Sequence, residues 1–209
     1  MTISYPLDIP TNLGIANITF SPESAVTISQ SPFTYQQQVL THQGQRWAAS
    51  VTLPPMRRQD AEPWVAFLLS LKGQVGTFLL GDPNGKQPQG SASSNAGTPL
   101  VKGAGQTGST LIIDGLPTSV TGYLLAGDYI QLGAAGSASL YKVLTDVNTN
   151  SSGEATLDIW PNLRSSPLDN ATVVVTNTKG KFRLKSNIQS WQINEASSYG
   201  ISFDCVEAL

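Results

Sequence analysis

Only one stretch of this chain has the period of a helix, and nearly everything else alternates. Trp64, Phe67, Leu68 and Leu71 recur at i, i+3, i+4 and i+7, a stripe along one helical face. Asp60 stands where an N-cap belongs, Pro63 falls in the first turn, and Gly73 is suited to end the helix in the left-handed region. The spacing predicts a helix over about 60–71 with the stripe as its core face. Ahead of it, Trp47, Ala49, Val51 and Leu53 alternate with Ala48, Ser50 and Thr52, the two-residue period of a half-buried strand. Pro54-Pro55 ends that strand, because neither residue can donate to a ladder. After the helix, Gly76-Thr-Phe-Leu-Leu-Gly-Asp-Pro reads as a second strand closed by a tight turn.

The remaining apolar residues also speak for strands. Ile18 and Phe20, and again Val26 and Ile28, alternate with polar neighbours. Residues 84–99 carry no sizeable apolar side chain and read as a loop or linker. Beyond it, strands are expected around Thr110–Ile113, Tyr129–Leu132, Leu140–Val147, Ala155–Ile159 and Thr172–Val175, with turns at Ala126-Gly127-Asp128, Ser152-Gly153 and Asp169-Asn170. Short strands at this spacing suit a small barrel or sandwich. Three closing strands, Lys181–Lys185, Ile188–Ile193 and Gly200–Val206, are too few for a sheet of their own. They are expected to rejoin the N-terminal sheet, with Ile201, Phe203 and Cys205 turned inward. The expected fold is mainly β: a β-sandwich domain with one α-helix from residues 1–84 and 178–209, interrupted by a small β domain at 85–177.

Charged residues are only 12% of the 209, against about 25% in an average soluble domain. Interface cores are depleted of charge, so this scarcity fits a chain packed against other subunits. Ser/Thr-rich β faces produce the same composition without partners. The net charge is −2 and no run of Lys or Arg occurs, so binding to nucleic acid by phosphate neutralisation is not expected. Cys205 is the lone cysteine and implies no disulfide. No apolar run reaches the length of a membrane span, and the N-terminus lacks the basic and long apolar regions of a signal peptide. These features lead to the expectation of a soluble chain made in a cytoplasm.

Few residues offer chemistry. Gly103, Gly105 and Gly108 have dinucleotide-fingerprint spacing, but a Ser/Gly/Pro-rich linker precedes them and Thr110-Leu-Ile-Ile, a strand, follows. The fingerprint needs the reverse, a strand before and a helix after, so a Gly-rich turn is expected. Asp146, Asn148, Asn150 and Glu154 mimic the opening of a calcium loop, yet Ser151 and Leu157 occupy the positions that require Gly and Glu. His42 lies in polar Thr41-His-Gln-Gly and reads as a surface turn, and Cys205 as a small core residue. The carboxylates are scattered, with Asp204 and Glu207 a close pair near the C-terminus; a glycosidase pair stays open, because such pairs meet only in space. Asn17, Asn150 and Asn170 begin glycosylation sequons that carry meaning only with a secretion route. No catalytic, cofactor-binding or metal site is expected, and the chain reads as other than an enzyme.

Several segments, taken in order, carry a family resemblance. Trp47-Ala-Ala-Ser-Val-Thr-Leu-Pro-Pro-Met, Trp64-Val-Ala-Phe-Leu-Leu-Ser-Leu-Lys-Gly and Gly76-Thr-Phe-Leu-Leu-Gly-Asp-Pro are followed by Lys102-Gly-Ala-Gly-Gln-Thr-Gly, Leu125-Ala-Gly-Asp-Tyr-Ile-Gln-Leu-Gly, Tyr141-Lys-Val-Leu-Thr-Asp-Val and Ile159-Trp-Pro-Asn-Leu-Arg. From about Trp47 to the C-terminus the chain resembles the distal tail proteins of long-tailed bacteriophages. That resemblance implies a structural ring, typically a homohexamer, joining the tail tube to the baseplate hub. It implies a β-sandwich belt domain with a helix and a second β domain carried outward. The implied partners are other copies of the chain, the tail tube and baseplate hub proteins, and tape-measure or receptor-binding proteins. The implied location is the virion tail tip, after assembly in the host cytoplasm. A carbohydrate-binding β module contacting the host surface is the alternative, with Trp160 and Tyr141 as the aromatics to examine.

Overall fold

The computed structural model describes residues 3–209 apart from Leu13 and Ala196. The fold is mainly β with one α-helix. Its strands are β1 (Leu7–Asp8), β2 (Asn17–Gln30), β3 (Gln37–Thr52), β4 (Phe78–Leu80), β5 (Leu100–Val101), β6 (Thr110–Asp114), β7 (Tyr129–Leu132), β8 (Ser139–Val143), β9 (Ala155–Trp160), β10 (Val173–Val174), β11 (Gly180–Leu184), β12 (Trp191–Ile193) and β13 (Tyr199–Glu207). Helix α1 spans Arg58–Ser70.

Two sheets organise these strands. The first runs β1-β4-β11-β13-β3-β2, with β12 also on β13. Among the described residues, the β1–β4 pairing alone is parallel. The second runs β10-β7-β8-β9-β6-β5. Its two ends meet, because Val101 N–H donates to the Ala171 carbonyl at 2.9 Å and Val173 N–H to the Pro99 carbonyl at 3.0 Å. The second sheet therefore closes on itself as a small barrel, whereas the first sheet keeps open edges at β1, at β2 and at the short β12. The chain leaves the first sheet after β4 and returns at β11, its hydrogen-bonded neighbour, with Gly180 opposite Leu80.

Alternation dictates which face of the first sheet is buried. Val51, Leu53, Phe78, Leu80, Phe182, Leu184, Ile201, Phe203 and Cys205 form one cluster with Trp47 and with Trp64, Phe67, Leu68 and Leu71 of the helical segment. Ala61 and Val65 widen the helical stripe on the same side. Aromatic edges meet faces through this layer: Trp64 with Phe67 at 6.1 Å, Phe67 with Phe78 at 5.5 Å and Phe78 with Phe203 at 6.1 Å. Each such side chain contributes about 1.5–3 kcal/mol by burial, an upper figure because real unfolded chains already hide some surface.

Several element boundaries differ from the sequence expectation. Helix α1 starts two residues early, its N-cap is Arg57, and no side chain caps it. Met56 explains this, since it exchanges backbone hydrogen bonds with Tyr199 and pins the chain until Arg57 turns into the helix. Asp60 thus sits within the first turn, where its charge favours the positive helix end, and Pro63 lies one turn deeper than expected. Lys72 takes the first left-handed position, with φ of 51°, and Gly73 the second, with φ of 68°. The two N-terminal runs are one strand, β2, which passes through Pro22 because it is an edge strand. Strand β3 begins at Gln37 rather than Trp47. Strand β8 stops at Val143, with Val147 pairing alone to Leu124, and β12 keeps only Trp191–Ile193 of the run expected from Ile188.

Candidate functional site

The segments with apparent chemical motifs turn out to be braced loops. Gly103, Gly105 and Gly108 all have φ near 80°, and β6 follows them, so no helix N-terminus faces them. Gln106 fills the loop, donating to the Lys102 and Ile112 carbonyls and accepting from Ile112 N–H. In the calcium-like stretch the Asp146, Asn148 and Asn150 side-chain oxygens all accept from backbone N–H groups. Asp146 accepts from Ala126 N–H at 2.9 Å, Asn148 from Gly122 N–H at 2.7 Å, and Asn150 from Ser152 and Glu154 N–H. Glu154 bonds to Lys102 and Asn150, which together hold its carboxyl below the usual value. Among the described residues no group of three or more His, Cys, Asp or Glu side chains is placed to share a metal ion.

Asp204 and Glu207 are not brought together. Asp204 is exposed on the outer face of β13, while Glu207 is buried. Glu207 serves a different purpose, joining the two sheets. Its carboxylate accepts from Trp47 N–H at 3.1 Å, from Arg164 Nε at 3.1 Å and from Arg164 Nη2. Arg164 follows β9, and its Nη1 donates to the Gln45 carbonyl at 2.6 Å. The Gln45 side chain accepts from Asn162 N–H at 2.8 Å, and Trp47 Nε1 donates to the Leu140 carbonyl at 3.0 Å. Gly180 permits the close approach, since a Cβ there would stand 2.9 Å from that of Leu140. Nothing in the sequence paired Arg164 with Glu207, which lie 43 positions apart.

Cys205 is fully buried, and burial pushes its thiol up to about 12, far from a reactive thiolate. The aromatics of the barrel also turn inward. Tyr123, Tyr129 and Tyr141 are buried, and half-buried Trp160 packs edge-on against Trp47 at 4.5 Å. Burial raises the Tyr123 phenol to about 12 and raises Tyr141 as well, whose hydroxyl accepts from Arg164 N–H.

One element stands out from the body of the fold. Beyond Ser24 and Gln45, β2 and β3 leave the sheet as a two-stranded arm. At its root Glu23 pairs with Arg46 at 2.6 Å, and from residue 24 to 45 no formally charged residue follows. His42 lies here, within β3 and not in a turn. His42, Gln43 and Gly44 stand opposite Ala25 alone, a bulge that bends the pair. Val26 and Ile28 continue the inward-facing set of Ile18 and Phe20, and Ile28 pairs with Val39. No core covers this extension: Val26, Ile28 and Val39 are each about half exposed. Six strand residues past the root carry the arm roughly 20 Å outward.

No protein-family model matches this sequence, and no curated protein matches it. Among the described residues no helix is long and apolar enough to cross a membrane.

Proposed function

We propose that this chain is a structural ring subunit of a bacteriophage tail tip, assembling as a homohexamer between the tail tube and the baseplate hub. The observation that carries this reading is the arm. A long edge strand without charges, with β-branched residues on its core-side face, would aggregate if left open to water. Such an edge is stable when another subunit covers it. Around it, Ser50, Thr52, Ser202 and Asp204 leave a polar, exposed outer sheet face for packing. The resemblance of the segments from Trp47 onward supplies the phage context and the neighbouring tube, hub, tape-measure or receptor-binding proteins. It also supplies the virion location that follows assembly in the host cytoplasm. The two barrel aromatics that a sugar-binding role would call on do not form a solvent-facing platform: Tyr141 is buried and Trp160 is half-buried against Trp47.

Light scattering and negative-stain microscopy of the purified chain test the proposal. The expected species is a hollow ring that Ile28→Lys/Val39→Lys converts to monomers of unchanged circular dichroism. A wild-type chain that stays monomeric at every concentration, with and without the tail tube protein, would defeat the proposal.

A further inference from the structure

The arm ends in two aromatic side chains that lie outside any core of their own subunit. Phe33 is 92% exposed and Tyr35 74%, and no other described aromatic is comparably open. Their presentation is fixed by a tight turn. Ser31 N–H donates to the Gln36 carbonyl and Tyr35 N–H to the Ser31 carbonyl, both at 2.9 Å. The Ser31 hydroxyl accepts from Phe33 and Thr34 N–H at 3.4 Å. Holding two rings in water on a paired, uncharged stalk buries no apolar surface within the monomer, so they fit a contact that lies outside it.

At the opposite edge of the same sheet lies a cleft of about 530 Å³. It opens beside β1 and β4, and Ile9, Pro10, Ile15, Leu79 and Pro83 give it apolar walls. Its volume falls within the roughly 300–1,000 Å³ of pockets that enclose apolar groups. Asp8 and Asp82 balance Lys86 and Lys179 around it, with Lys179 Nζ 2.9 Å from Asp8. A cleft without net charge suits an uncharged tip and not an anion.

We infer that the arm tip, through Phe33 and Tyr35, seats in the β1-edge cleft of a second copy of this chain. The inference rests on the ring reading and names its interface. Arm and cleft lie at opposite ends of the main strand order of one sheet, β2 and β1, so one subunit carries each half of a head-to-tail contact. A heterologous contact of that kind repeats around an axis and closes a ring when the rotation permits. The arm and the cleft of one subunit are set apart across the sheet, since five strand spacings of about 4.8 Å separate β2 from β1.

Oxidative cross-linking of Thr11→Cys/Tyr35→Cys tests the contact, since native Cys205 is buried and does not compete. Thr11 lines the cleft and is exposed. The expected result is a ladder of disulfide-linked multimers that collapses on reduction and is absent from either single variant. Phe33→Ala/Tyr35→Ala, and separately Thr11→Trp, which fills the cleft, are each expected to weaken assembly at least tenfold. If rings form, yet the cysteine pair gives no ladder and both the tip and cleft variants assemble as wild type, the inference falls while the ring reading stands. If no oligomer forms at all, both fall. Density for a small molecule in the cleft of the assembled ring would also overturn the inference.

Discussion

The two best-buried tryptophans make opposite use of their indole nitrogens. Trp47 Nε1 donates across the sheet boundary to Leu140, whereas Trp64 Nε1, under the helix, has no partner. Both rings are buried, so replacement by Phe removes a similar volume at each place. Trp47→Phe also breaks a hydrogen bond with a net worth of about 0.5–1.5 kcal/mol, while Trp64→Phe relieves an unsatisfied buried donor. Trp47→Phe is therefore expected to cost at least about 1 kcal/mol more than Trp64→Phe in urea unfolding. Equal losses, or a larger one at Trp64, would show that packing outweighs the indole N–H at these sites.

At the scale of elements, sequence was informative wherever side-chain period and burial coincide. The stripe of Trp64, Phe67, Leu68 and Leu71 and the inward sets of β3 and β13 are legible because water sorts them by face. The start of α1 was not, because the Met56–Tyr199 pairing that sets it involves backbone atoms far apart in the chain. The outer half of β3 was invisible for a related reason: Gln37, Gln38, Thr41 and Gln43 carry no alternation, and the strand exists through its pairing with β2. The turn at Ala126-Gly127-Asp128 is legible from its residues, but its bracing is not: the buried Asp128 carboxylate accepts Gln89 and Leu125 N–H at 2.8 Å, and Gln89 lies 39 positions away. Helix termination can be tested directly. Gly73→Ala would force a Cβ into the left-handed region and to within 2.7 Å of Asn187 Oδ1. The conformational cost alone is about 1–2 kcal/mol. Lys72→Gly, one residue earlier and exposed, exchanges that cost for unfolded-state entropy and is expected to change stability by less than about 0.5 kcal/mol. Thermal melts of the two variants that moved together would contradict this assignment of roles.

At the scale of the whole molecule, the question is what holds the barrel against the first sheet. Apolar contact contributes, since Tyr129 and Leu140 of the barrel belong to the first core. The polar clasp concentrates the specificity: Arg164 reaches Glu207 and Gln45, and the Glu207 side chain is 3% exposed. An ion pair so buried adds little over a matched neutral pair, because desolvation offsets the attraction, but loss of one partner strands a charge. Arg164→Met is therefore expected to cost about 3–5 kcal/mol. Arg164→Met/Glu207→Gln should recover most of that, since an amide oxygen can still accept from Trp47 N–H. Calorimetry distinguishes the clasp from a merely local effect. With Arg164→Met, the barrel, closed and with its own core, is expected to melt separately from the first sheet, giving two transitions where wild type gives one. A single shifted transition in Arg164→Met, or a double variant no more stable than the single one, would place the coupling in the apolar contacts instead.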